Sequence, residues 1–268
     1  MKTDFSNEIL SDISNFAVGL VLREKGAGSN VLGSGVLVSI DGRRGILTCG
    51  HVAERYERLP EIGLLRFSPG DQQRRVVRLD YTRTIILQSS DSWSEKGADL
   101  AFTQLPPDIA SSIEAQSVFL NLEKNRAKIE AATPIEGKHV DVMVGLVAEF
   151  SQEPFIKGCE FISPMRGVLH TGHVCAQENG LLTFEAMDDN LHELPRDFGG
   201  MSGAGLWRIY FVEDERGVAI ISRTLCGVAS WQIDKPINNR KIACQGWDRI
   251  DQGLIPTIRR DFNHGVPI

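Results

Sequence analysis

The sequence predicts an all-β fold built from two successive strand-rich units, with a short helix ahead of them and a helical segment after. Three observations carry this. The apolar runs are of strand length and are separated by Gly, Asp and Ser turns. Asp41-Gly42 lies between two such runs, the dipeptide that a tight β-hairpin turn favours. Helical periodicity is confined to the two ends and to one stretch between the units. The expected division is an N-terminal helical segment over residues 1–15, a first β unit over 16–125, and a second β unit with a C-terminal segment over 126–268.

The elements follow in order. Phe5, Ile9, Ile13 and Phe16 recur at helical spacing behind Asp4, a candidate cap, and predict an amphipathic helix over 4–15 that packs on the body of the protein. Strands of the first unit are expected at Val18–Leu22, Val36–Ile40, Gly45–Thr48, Leu64–Phe67, Val76–Leu79, Thr84–Leu87 and Leu100–Leu105. Ser111–Ala132 is richer in Ala, Glu, Lys and Asn and reads as a partly helical connection. The second unit's strands are expected at His139–Val147, Phe161–Leu169, Leu181–Ala186, Leu206–Val212, Val218–Arg223 and Cys226–Gln232, with a charged hairpin tip at 213–217. Trp247–Arg260 closes the chain as a helix weakened by Gly253 and Pro256.

Composition excludes several classes. A chain of 268 residues with 42% hydrophobic content has ample material for a core. Its formal net charge of −6 and the lack of a Lys/Arg run speak against nucleic acid and against a membrane surface. No stretch approaches the ~20 apolar residues of a membrane span. The first residues carry no apolar core of the signal-peptide kind. The five cysteines, Cys49, Cys159, Cys175, Cys226 and Cys244, are scattered and odd in number, so free thiols and a cytoplasmic location are expected.

Chemistry-bearing residues stand at three places. His51 follows an apolar strand, where an imidazole can exchange a proton near neutral pH. Asp99 opens the apolar run Asp-Leu-Ala-Phe, and a carboxylate beside buried residues needs a partner. Ser202 stands alone among Gly199, Gly200, Gly203 and Gly205, where a hydroxyl is approachable and the N–H groups of Gly200 and Ser202 can converge as an oxyanion hole requires. The order histidine, aspartate, serine is one of the three known orders of such a triad. Two tempting alternatives are weaker. Cys49 lies two residues before His51 but has no Gly-rich turn of its own. His170, His173 and Cys175 match no structural zinc pattern, and the two histidines would lie on opposite faces of a strand. No metal and no cofactor is expected.

Four blocks carry a resemblance: Gly33-Ser-Gly-Val-Leu-Val, Leu47-Thr-Cys-Gly-His-Val, Ala98-Asp-Leu-Ala and Gly200-Met-Ser-Gly-Ala-Gly-Leu. Together with Gly227-Val-Ala-Ser-Trp they make residues 17–250 resemble the chymotrypsin/trypsin-like serine peptidases, in particular the bacterial and intracellular branches. The resemblance implies two six-stranded antiparallel β-barrels with the site in the crevice between them. It implies Ser202 as nucleophile, His51 as general base, Asp99 as the acid that orients it, and the Gly200 and Ser202 amides as oxyanion donors. Ser230 would support Asp99. Ser230, Trp231 and Gln232 would pair with substrate backbone, and Arg196 would fall near the base of the specificity pocket, with Asp197 beside it. A polypeptide substrate follows.

The chain departs from the secreted members at Met201, where an aspartate often pairs with a newly released amino terminus, and at Val52, where they carry a cysteine. No such activation switch is expected. The donors must then be assembled by local packing, by an activating partner protein or by substrate. Gln232 stands where glycine is frequent and would partly fill the pocket entrance. These departures leave a second reading open, a protease-like scaffold that binds a peptide or partner and cleaves nothing, and a third, a latent enzyme switched on by a partner.

Overall fold

The computed structural model describes residues 3–23, 29–67, 74–78, 82–88, 97–131, 138–151, 155–157, 160–162, 165, 167–187, 194–215, 217–233 and 240–264. Helix α1 (Thr3–Ile13) precedes β1 (Ala17–Arg23), β2 (Ser29–Ile40) and β3 (Arg43–Thr48). Helix α2 (Gly50–Glu57) then leads to β4 (Glu61–Arg66), β5 (Arg74–Arg78), β6 (Arg83–Gln88) and β7 (Asp99–Gln104). The expected strand end at Leu79 and the thiol of Cys159 lie outside the described residues. The first sheet runs β5-β4-β1-β2-β3-β7-β6, with antiparallel neighbours throughout this path. The hairpin turn falls where the dipeptide places it. Ile40 pairs with Arg43, and Asp41 and Gly42 both take positive φ, 46° and 77°, as that turn requires.

The connection between the halves holds α3 (Pro107–Glu114), the two-residue β8 (Leu120–Asn121), which pairs parallel to β2, and α4 (Leu122–Glu130). Asn121 caps α4 by accepting the Lys124 N–H at 2.7 Å. The division expected between residues 125 and 126 falls inside this helix. Asn125 is buried there and exchanges two hydrogen bonds with the backbone of Leu225, at 2.9 and 3.1 Å.

The second half contains β9 (Lys138–Leu146), a short 3₁₀ turn (Ala148–Phe150), β10 (Phe155–Lys157), β11 (Glu160–Ile162), β12 (Gly167–Glu178), β13 (Leu181–Ala186), β14 (Gly205–Asp214), β15 (Gly217–Gln232) and β16 (Lys241–Gly246). Strands β10 and β11 form a separate pair. The others form a six-strand antiparallel ladder, β12-β13-β16-β15-β14-β9, which returns to its start because β9 also pairs with β12. The chain is thus mostly β, in two antiparallel sheets. Only the second closes on itself among the described residues. The first presents a path of seven strands plus β8.

Two local differences have physical reasons. The runs expected at Val218–Arg223 and Cys226–Gln232 form one strand, β15, because Thr224 between them favours a strand and no Gly, Pro, Asn or Asp interrupts the run before Gly227. Helix α2, absent from the expectation, forms immediately after β3 and buries Val52, Ala53 and Tyr56, with the Tyr56 hydroxyl 2.7 Å from the Thr103 Oγ1.

The C-terminal segment is helical, as α5 (Trp247–Arg249), a π turn (Ile250–Leu254) and α6 (Ile255–His264). Gly253 lies in the π turn, the irregularity that the glycine foreshadowed. Helix α1 packs inward: Phe5, Ile9 and Ile13 are buried, the Phe5 ring lies 4.7 Å from Phe211 of β14, and the Phe16 backbone carbonyl accepts the Leu37 N–H of β2. The helix and the turn after it together touch both halves. No helix among the described residues is long and apolar enough to cross a membrane.

Candidate active site

His51 is the second residue of α2, and its ring is held where β3 gives way to the helix. Asp99 is the first residue of β7, next but one to β2 across β3. The sheet order β3-β7 thus brings the two residues together. His51 Nδ1 lies 2.8 Å from Asp99 Oδ2, and the His51 backbone N–H donates to Asp99 Oδ1 at 2.9 Å. The carboxylate is nearly buried at 5% exposure, whereas the imidazole keeps 32% of its side-chain surface in contact with solvent.

Ser230, on β15 of the other half, reaches across to the same carboxylate and donates its hydroxyl to Asp99 Oδ2 at 2.5 Å. Burial raises the Asp99 carboxyl, but the hydrogen bonds and charge of His51, together with the Ser230 hydroxyl, outweigh it and hold the group below the usual carboxylate range. An ionised acid at this position fixes the ring with Nδ1 as donor, which in a neutral imidazole makes Nε2 the acceptor.

Ser202 sits half-buried in the turn that precedes β14. Its hydroxyl donates to the Ser230 carbonyl oxygen at 2.9 Å. The turn is tied to both halves: the Ser202 carbonyl accepts the Ser34 N–H at 2.7 Å, and the Gly203 N–H donates to the Ala229 carbonyl at 2.8 Å. Gly203, at φ +90°, packs so closely on β2 that a Cβ there would stand 2.0 Å from the Ser34 carbonyl oxygen. That contact explains the glycine after the serine.

Two backbone donors stand beside the serine. The Gly199 carbonyl accepts the Ala148 N–H at 2.8 Å, and the Met201 carbonyl accepts the Ala204 N–H at 2.8 Å. In a trans peptide the N–H points opposite the carbonyl. The Gly200 and Ser202 N–H groups are therefore directed away from those partners, and neither has an acceptor among the described residues. Gly200 takes φ +94°, which sets the orientation of this pair.

Sequence reasoning missed two residues here. Ser34 of β2 is wholly buried and bonds the turn through both backbone and hydroxyl, yet a serine within a Gly-Ser-Gly run of a strand carries no chemical signature of that work. Glu149, in the 3₁₀ turn, accepts the N–H groups of Arg196 and Asp197 at 2.7 and 3.0 Å and so shapes the loop before Ser202. Its partners are backbone groups of a loop far along the chain, which leave no mark in residue type.

The remaining expected residues are placed as follows. Trp231 and Gln232 end β15, half-buried, paired with Ala243 and Ile242 of β16 on one side. The Gln232 side-chain oxygen accepts the Phe198 N–H at 3.3 Å. Arg196 is exposed, and Asp197, also exposed, uses Oδ1 to accept the Gly199 N–H at 2.8 Å.

Cys49 is buried, and its thiol donates to the Ala229 carbonyl at 2.8 Å. Burial, and after it the Asp99 charge, push that thiol well above its ordinary range, so it stays protonated and is no rival nucleophile. The ligand atoms of Cys49, His51 and Asp99 gather within 4.8 Å, with the thiol committed to the Ala229 carbonyl and the imidazole Nδ1 to the Asp99 carboxylate. On β12, His170 is buried while His173 and Cys175 are exposed, as strand alternation requires of the two histidines.

No family model matches the chain, and no curated protein does. Among solved structures, it aligns with a chain from work on how aromatic interactions drive the coupled folding and binding of the intrinsically disordered Sesbania mosaic virus VPg protein. That alignment has 15% identity and a TM-score of 0.45, and covers 90% of each chain. At that score the likeness lends nothing to the reading of the site.

Proposed function

We propose that this protein is a serine endopeptidase of the chymotrypsin/trypsin-like kind. The observation that carries the reading is the hydrogen-bonded run from the Ser230 hydroxyl through Asp99 to His51, with the Ser202 hydroxyl bonded to the same residue 230. Ser202 Oγ turns from the Ser230 carbonyl toward His51 Nε2, gives up its proton there and attacks the peptide carbonyl. The Gly200 and Ser202 N–H groups receive the oxyanion. His51 then returns the proton to the leaving amine, and water completes the hydrolysis by the same route. Asp99 stays ionised and stabilises the imidazolium. The substrate is a polypeptide, aligned along the edge of β15 at Ser230–Gln232 that β16 leaves open. The free thiols at Cys49, Cys175, Cys226 and Cys244 favour a cytoplasmic setting.

The test is a fluorophosphonate probe together with mass-spectrometric cleavage of an unstructured protein. Wild type should be labelled at Ser202 and should cut. Ser202→Ala should lose the label and several orders of magnitude in rate. Label retained by the alanine variant sinks the assignment.

One observation favours the other reading, a peptide-binding scaffold: the Ser202 hydroxyl is donated to Ser230 and not to His51. On that reading peptides bind to wild type and to Ser202→Ala equally and emerge intact.

A further inference from the structure

We infer that Ser34 is the positioning residue that assembles the anion-binding donors, so that the proposed peptidase needs neither a released amino terminus nor a partner to become active. This rests on the peptidase reading above and answers the question that Met201 raises: what holds the turn in shape when no aspartate stands there.

The two peptide planes on either side of Gly200 decide where its N–H points. Each plane is anchored. The plane before it is held through the Gly199 carbonyl, which accepts the Ala148 N–H at 2.8 Å. The plane after it is held through the Gly200 carbonyl, which accepts the Ser34 hydroxyl at 2.8 Å. The same hydroxyl accepts the Leu146 N–H at 2.9 Å, two residues from Ala148. One side chain therefore links the glycine turn to the end of β9, two residues before the 3₁₀ turn whose Ala148 anchors the preceding plane.

The remaining groups of Ser34 are committed to the same neighbourhood. Its N–H donates to the Ser202 carbonyl at 2.7 Å, and its carbonyl accepts the Thr48 hydroxyl at 2.7 Å. Every polar group of a residue with 0% exposure is thus spent on the turn, on β9 or on the strand leading to His51. Space is reserved for this packing, since a Cβ at Gly145 would meet the Ser34 hydroxyl oxygen at 2.8 Å. Buried polar groups with both partners satisfied are rigid, and losing one partner frees the other. Without the hydroxyl, the Gly200 carbonyl and the Leu146 N–H both lose a partner, and the plane after Gly200 is released.

The experiment compares wild type with Ser34→Ala in the full chain. A peptide boronic acid forms a charged adduct on a serine and places an oxygen in the donor site; the matching peptide amide does not. Wild type should bind the boronic acid far more tightly than the amide without any added partner. Ser34→Ala should lose about 100-fold in boronate affinity and in kcat, the size of effect seen when one oxyanion donor is lost. Its amide affinity and KM should stay within about threefold, a split that general unfolding would not produce.

A folded Ser34→Ala variant with undiminished boronate affinity overturns the proposal. If wild type itself shows no preference for the boronic acid, the claim that the site needs no partner is overturned, and the peptidase reading falls with it when Ser202 also takes no fluorophosphonate label. Ser34 is then judged by a crystal structure of the alanine variant, in which Gly200 is expected to leave the region near φ +94°. An unchanged Gly200 there overturns the positioning role by itself.

Discussion

The Ser202 hydroxyl donates to the carbonyl oxygen of Ser230, the residue whose own hydroxyl donates to the Asp99 carboxylate. One residue of β15 thus touches both the expected nucleophile and the expected acid, and it does so from the opposite half of the molecule to His51. The carbonyl contact is backbone and survives substitution; the hydroxyl contact does not. Ser230→Ala is therefore expected to leave Ser202 in place while removing a donor from Asp99. A hydrogen bond to a buried charge contributes about 1.5–3 kcal/mol. The loss in kcat should be about 10- to 100-fold, read by steady-state cleavage, with KM little changed.

Asp99 makes a prediction about acid stability. Its carboxyl is held low in the folded state, first against burial, by His51 and Ser230. An aspartate in the unfolded chain titrates near about 3.9. The group's contribution to stability is therefore complete above that value and is lost as pH falls through the lower folded-state value. Urea unfolding of wild type and Asp99→Asn, followed from pH 6 down to pH 2, should show the wild-type advantage shrinking across the acid range. A constant gap would mean that Asp99 is not ionised in the folded protein. If the protein is the peptidase proposed above, the same variant should lose about 10⁴-fold in kcat, because the imidazole is then held in the wrong tautomer.

The strands and the three candidate site residues are legible in sequence for different reasons. The hairpin at Asp41-Gly42 and the buried face of α1 are local, written in turn chemistry and in spacing. His51, Asp99 and Ser202 were found because their neighbours form motifs. Ser34 and Glu149 were not, because their work consists of hydrogen bonds to backbone far along the chain, and backbone partners leave no trace in residue type. Helix α2 was hidden because its eight residues begin at a glycine and offer only Val52, Ala53 and Tyr56 to the core, too few for a period. Strand β16 was overlooked because its apolar centre, Ile242-Ala-Cys244, is short, and only its position between β13 and β15 makes it central.

Gln232 predicts selectivity. Its side-chain oxygen accepts the Phe198 N–H and so spans from the open edge of β15 to the loop before Ser202. An extended substrate lying on that edge must pass this side chain. Gln232→Gly removes the span and should raise kcat/KM for peptides with a large side chain before the cut by at least about tenfold, while small side chains change little. Gln232→Glu keeps an acceptor for the Phe198 N–H and should behave like wild type toward neutral peptides. Cleavage profiling of a peptide library with the three proteins checks this; equal gains for small and large residues would remove Gln232 from specificity.

The joint between the halves predicts where stability resides. Helix α1 is fastened to the body in two ways. Ile9 is fully buried, in the same apolar core as Phe5 and Ile13. Asp12, by contrast, forms a partly exposed ion pair with Arg223 at 2.8 Å. Removing a buried isoleucine to alanine costs about 2–5 kcal/mol, because the lost burial and the cavity add. A partly exposed pair contributes about 0–1 kcal/mol and less in salt. Ile9→Ala should therefore lower the free energy of unfolding several times more than Asp12→Asn, and only the effect of Asp12→Asn should fade at high salt. Chemical unfolding at low and high ionic strength distinguishes them. Equal losses would mean that the ion pair holds this helix as strongly as burial does.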